Sequence, residues 1–156
     1  MVHAGRLAMD IMRMEKGYLH WGHDISPAEN PYESGLDFAV KENKDFEFLG
    51  KINLLNKKFN QKKQLAMFIL TDSNPGNPLL LHDEPIYYKE NIIGETTSGN
   101  YSFCYNKNMA FGYIDSKINK NDMKNEIFQI EVSKVKYDAK LLLFPLHDPK
   151  NSKIKS

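Results

Sequence analysis

The sequence predicts an α+β chain that is mainly β, with helix confined to residues 1–60 and short antiparallel strands after them. Three observations carry this. From Ala4 to Lys16 apolar residues recur at spacings of three and four; from Gln64 onward they come in short runs rich in β-branched and aromatic residues; and Gly, Asn, Asp and Pro separate those runs.

Each element can be justified in order. Ala4, Leu7, Ala8, Ile11 and Met14 fall on one arc of a helix, Arg6, Asp10 and Arg13 line another side, and Gly17 is a natural stop. Gly22, Pro27 and Pro31 then make a loop with a turn near Asn30, before the short apolar stretch of Leu36, Phe38 and Val40. A second helix is expected from Gly50 to about Asn60, burying Ile52, Leu55 and Phe59. The strand-like runs are "QLAMFIL", "PIYYK", "NIIGETT", "YSFCY", "MAFGYI", "IFQIEV" and "KYDAKLLLF". In "YKENIIG", Glu90 and Asn91 can form a hairpin turn. "YSFCY" alternates so that Ser102 and Cys104 share a face, which predicts that Cys104 packs inside. Strands at this spacing make an antiparallel sandwich or barrel. Ile118 to Asn125 reads as an exposed loop, and residues 150–156 as a flexible tail.

Composition removes several function classes. The 156 residues fit one domain of ordinary size or two small ones. A net charge of +1, from 21 basic and 20 acidic residues, gives no field that would draw in nucleic acid or anionic lipid. Cys104 is the sole cysteine, which rules out an intrachain disulfide and a thiolate zinc site. No apolar run is long enough to cross a bilayer, and Arg6, Asp10 and Arg13 interrupt any signal-peptide core. The expected location is the cytoplasm.

The stretch "RMEKGYLHWGHDI", residues 13–25, holds the most chemistry. His20, His23 and Asp24 invite a two-histidine, one-carboxylate metal reading. Gly17 and Gly22 argue against a continued helix, and on a strand a spacing of three sends the two rings to opposite faces, so no metal site is expected. Cys104 and Ser98 belong to no nucleophile and base motif, so no catalytic residue is expected either. Glu15 is the sharper signal. A helical wheel sets it about 80° from Leu7, on the apolar side, where a carboxylate needs loop N–H groups, an arginine or a polar ligand as partner.

Residues 8–51, "AMDIMRMEKGYLHWGHDISPAENPYESGLDFAVKENKDFEFLGK", resemble the folate-binding C-terminal region of dimethylglycine and sarcosine dehydrogenases and the related aminomethyltransferase, the T-protein of glycine cleavage. The resemblance continues through "EPIYYKENIIGETTSGNYSFCYNKNMAFGYI" and "YDAKLLLFPLHDPKNSKIK", and includes a Thr-Ser-Gly turn at Thr97, Ser98 and Gly99. It implies a helix and loop from a middle folate domain (1–60), then a Greek-key or jelly-roll-like barrel of about six strands (61–149), with the tail at 150–156.

The resemblance further implies that the parent enzymes oxidise an N-methyl group with FAD and pass the one-carbon unit to tetrahydrofolate. Glu15, Tyr18, Trp21 and His23 are then candidates for one wall of the folate cavity: Glu15 accepting N–H groups of the pterin or a neighbouring loop, the rings as walls. Met9 stands where the T-protein branch carries an arginine, which favours the dehydrogenase branch over an aminomethyltransferase or a flavin-free demethylase. The flavin domain and the aspartate that assists transfer correspond to upstream sequence. On that basis the chain is expected to be a fragment, inactive by itself, whose partners are upstream folate and flavin domains on the same or a separate chain. In a eukaryote the resemblance implies the mitochondrial matrix.

Overall fold

The computed structural model describes residues 3, 5–44, 47–143, 145 and 147–155. Six strands close into an antiparallel barrel: β1 (Lys63–Leu70), β2 (Pro85–Tyr88), β3 (Asn91–Ser102), β4 (Lys107–Asp115), β5 (Ile127–Val132) and β6 (Val135–Leu142). β2, β3 and β4 are successive neighbours, β5 crosses back to pair with β2, and β6 pairs with β1, which in turn pairs with β4. The β2 to β5 order is a Greek key. Of the sandwich and the barrel, the barrel forms, and closure leaves these short strands no open edge.

The interior follows the strand period of two. Ala66, Phe68 and Leu70 of β1 point inward and meet Ile86, Ala110, Ile114, Phe128, Ile130, Ala139 and Leu141. Phe68 and Phe128 pack edge to face at 5.4 Å. β4 is buried along most of its length on both faces, which explains why "MAFGYI" reads as a continuous apolar run: Met109 and Phe111, on its outer face, are covered by Met14.

Met14 comes from α1 (Arg6–Lys16), which lies across β3 and β4 and ends at Gly17 in the left-handed conformation, φ 78°. A Cβ at Gly17 would sit 2.3 Å from Pro145 Cγ, so glycine is required there twice over. Only the last turn of α1 is buried; Leu7 is 73% exposed. Ala4 and Phe144, read from sequence as apolar positions, lie outside the described residues.

Four sequence expectations are corrected. α2 (Lys51–Phe59) forms, but it buries no residue: Ile52 and Phe59 are 73% and 83% exposed, because nothing in the described chain faces that side of the helix. "YSFCY" is no separate strand. β3 ends at Ser102 and the chain turns back through Asn106, at φ 51°, so Cys104 sits exposed in the β3–β4 turn instead of packing in the barrel. Thr97, Ser98 and Gly99 likewise form no turn; they lie within β3, at a register shift opposite β4. The β2–β3 hairpin forms one residue earlier than expected, with Tyr88 paired to Asn91 across Lys89 and Glu90.

The loop after β4 folds back over the barrel, bringing Ile118 and Met123 against the core. After Asp148 the chain makes one helical turn, α3 (Ser152–Lys155), whose first N–H groups reach the Asp148 carboxylate.

Candidate functional site

The last turn of α1 carries two charged side chains inward, and the barrel meets both. Glu15 is 5% exposed and accepts hydrogen bonds from Ser102 Oγ at 2.6 Å and from the Cys104 backbone N–H at 3.1 Å. The turn after β3 would otherwise leave that N–H unpaired, so a carboxylate on the apolar face satisfies it. Burial works to raise the Glu15 pKa, but the bonds from Ser102 and Cys104 outweigh it and hold the group below the usual carboxylate range. Cys104 is affected in return: its hydrogen bond to Glu15 pushes the thiol up. Of the partners open to Glu15 from sequence it has a loop N–H, that of Cys104, joined by the Ser102 hydroxyl, which the sequence reading did not name.

Arg13 closes a second network. In the loop after α1, the N–H groups of His23 and Asp24 turn back to His20 O at 3.2 and 2.9 Å, and this turn drives Asp24 inward. There the Asp24 carboxylate, 1% exposed, forms an ion pair with the Arg13 guanidinium. It also accepts from the His20 N–H at 2.8 Å, Thr97 Oγ1 at 2.6 Å and Ser98 Oγ at 2.7 Å. Arg13 Nη2 donates to Ser98 Oγ at 2.8 Å, and the guanidinium lies 5.7 Å from the centre of the Phe111 ring. Tyr113, whose hydroxyl donates to Asp24 O at 2.9 Å, has its pKa raised by burial and the surrounding carboxylates. The carboxylate and the guanidinium are thus held by shared hydrogen bonds, an arrangement suited to holding the loop in place.

The rings of His20 and His23 lie against each other, centroids 4.6 Å apart. Asp24 turns away from them, with both oxygens engaged by Arg13 and β3. Among the described residues, no group of three or more His, Cys, Asp and Glu side chains is placed to hold a metal.

Two concavities flank this stretch. A cleft of about 330 Å³ lies between α1, the His20 and His23 rings, residues 79–82 and β3. A larger cavity of about 620 Å³ lies on the other side, walled by Tyr18, Leu36, Phe38, Met67 and Leu142. The four candidates from sequence do not converge on one of them. His23 borders the cleft, Tyr18 borders the larger cavity, Trp21 is 65% exposed, and Glu15 is enclosed by the β3–β4 turn. Sequence reading missed Arg13, Asp24, Thr97 and Ser98 as a unit. Its members lie up to 74 to 85 positions apart, and no local pattern joins them.

Comparison with known proteins adds a lineage. Residues 63–148 match the model of the glycine cleavage T-protein C-terminal barrel domain, and residues 1–44 match that of the GCVT N-terminal domain. The 4-methylaminobutanoate oxidase (formaldehyde-forming) of Paenarthrobacter nicotinovorans is 30% identical over 97% of this chain and 18% of its own length. Mitochondrial dimethylglycine dehydrogenase of Mus musculus is 31% identical over 91% of this chain and 16% of its own. The chain thus spans less than a fifth of either relative. The glycine cleavage system aminomethyltransferase T from Bartonella henselae has the same fold, with a TM-score of 0.75 and 22% identity over 91% of this chain and 38% of that one.

Proposed function

Because the chain belongs to the glycine cleavage T-protein C-terminal barrel family, we propose that it is the C-terminal part of a flavin-dependent dimethylglycine or sarcosine dehydrogenase and forms one wall of its tetrahydrofolate site. The carrying observation is where apolar surface is left uncovered. In the segment that matches the N-terminal domain, Leu7, Met9, Met12, Tyr18, Trp21 and Phe38 are all exposed and, among its described residues, Met14 alone joins the buried core, whereas the barrel, though it too exposes Leu79, Leu81, Ile92 and Phe103, closes around a core of its own. A surface of that kind calls for a partner. Upstream folate and flavin domains, on the same or a separate chain, are the partner that fits.

In this reading Tyr18 and Trp21 present rings to the ligand, His23 stands on the cleft side of the same loop, and Glu15 holds the β3–β4 turn against the end of α1. The residues present fit a wall and not an enclosure: the rings are half or more exposed, and a small-molecule site needs closure from several sides. Tetrahydrofolate, when bound, supplies the amine nitrogens that take up the one-carbon unit as 5,10-methylenetetrahydrofolate. This chain's part is to orient it and to exclude water. FAD belongs to the upstream domain, and the setting is the cytoplasm, or the mitochondrial matrix in a eukaryote.

The test is calorimetric titration with a reduced folate. The chain alone is expected to show no micromolar binding, and adding a separately expressed upstream folate domain is expected to create it. Micromolar binding by the chain alone would sink the wall model.

A further inference from the structure

The cavity of about 620 Å³ has an unbalanced charge. Its lining includes two ammonium groups, Lys16 and Lys120, among apolar side chains such as Leu19, Leu36, Phe38 and Leu142, and among the described residues it includes no Asp or Glu. Lys16 is neutralised from outside the lining. Its Nζ pairs with Asp148 at 3.2 Å, both side chains being almost wholly buried.

Among the described residues, Lys120 has no such counter-ion in the wall. It reaches back from the loop after β4, and its Nζ donates to the Leu65 carbonyl at 2.9 Å. That neutral acceptor uses one of three N–H groups. Burial pushes the Lys120 pKa down, with Asp37, exposed on the 3-10 turn, the charge that acts the other way. An ammonium at the wall of an apolar cavity gains most from an anion brought in by an apolar body, because the body displaces water while the charge replaces the lost hydration.

We propose that this cavity binds a carboxylate carried on an apolar or aromatic body, the body lying against Leu36, Phe38 and Leu142 and the carboxylate accepting from Lys120 Nζ. The volume lies within the range of small-molecule sites. Two sources carry this chemistry, a free amphipathic acid and the benzoyl-glutamate tail of a folate. The site holds for the first even if the chain has no role toward folate.

Titration calorimetry of the chain with octanoate, octanol and 4-aminobenzoyl-glutamate separates the cases. At least one of the two carboxylates is expected to bind about tenfold or more tighter than octanol, the size of one charge-assisted hydrogen bond. Octanoate binding alone identifies a free acid; 4-aminobenzoyl-glutamate binding alone identifies the folate tail. Lys120→Met should erase the preference and Lys120→Arg should keep it. Should the Met variant fail to fold, the wild-type chain decides: a binding carboxylate should protect Lys120 from reductive methylation, read by peptide mass spectrometry, and octanol should not. Equal affinity for the carboxylates and octanol, or methylation of Lys120 at an unchanged rate, overturns the proposal.

Discussion

Glu15 and Ser102, 87 positions apart, share a hydrogen bond of 2.6 Å that ties the end of α1 to the end of β3. Glu15→Gln keeps the shape and loses the charge-assisted bonds, so the chain should lose about 1.5–3 kcal/mol of stability. Urea denaturation of the two proteins measures it. An unchanged midpoint would remove the structural role of this carboxylate.

Acid should reveal the same bond. The Glu15 pKa is lower in the folded chain than in the unfolded one, so the unfolded state takes up the proton first. Its contribution is fully present above the unfolded value of roughly 4.3 and is lost as pH falls through the lower folded value. The stability gap between wild type and Glu15→Gln should therefore hold from pH 7 down to the unfolded value and narrow only below it. A gap that stayed constant or widened below that value would contradict the sign.

The Arg13 and Asp24 pair should behave as a unit. Asp24→Ala removes the buried counter-charge of a largely buried guanidinium and leaves it, among the described residues, only Asp10 at 3.8 Å, at a cost of about 3–5 kcal/mol. Arg13→Met should cost a similar amount, and the double variant should cost clearly less than the sum. Additive losses in a thermal-unfolding cycle would show that the two residues act separately.

Cys104 should react with a thiol reagent in the native protein without prior unfolding, because it is exposed in the β3–β4 turn. Its rate should nonetheless fall below that of the unfolded chain at the same pH, since the Glu15 hydrogen bond raises its pKa and only the thiolate reacts. Glu15→Gln should speed the labelling. Reaction only at the global unfolding rate would return Cys104 to the buried position that its sequence pattern suggests.

The uncovered surface permits a contrast. Leu7→Lys and Ile52→Lys should leave stability within about 0.5 kcal/mol of wild type, as ordinary surface changes do. Phe68→Ala, inside the barrel, should cost about 3–5 kcal/mol. A large loss from either lysine variant, measured by chemical denaturation, would mean that these side chains are covered in solution.

The sequence by itself determined what depends on near neighbours. The alternation of β1, the stop at Gly17, the Lys89 and Glu90 hairpin to within one residue, and the need of Glu15 for a polar partner can all be read locally, because strand period, φ preference and helical phase are short-range properties. Tertiary structure decided the rest. Alternation in "YSFCY" could not reveal that β3 ends at Ser102, since the turn is stabilised by a carboxylate on a distant helix. Periodicity placed an apolar face on α2, but whether that face is buried depends on what stands opposite, and here nothing in the described chain does. The union of Arg13 and Asp24 with Thr97 and Ser98 exists only because a tight turn at His20 aims one carboxylate at a strand more than seventy positions away. Sequence patterns report which groups must be satisfied; only the closed barrel, by bringing distant strands to one side of α1, determines which partners satisfy them.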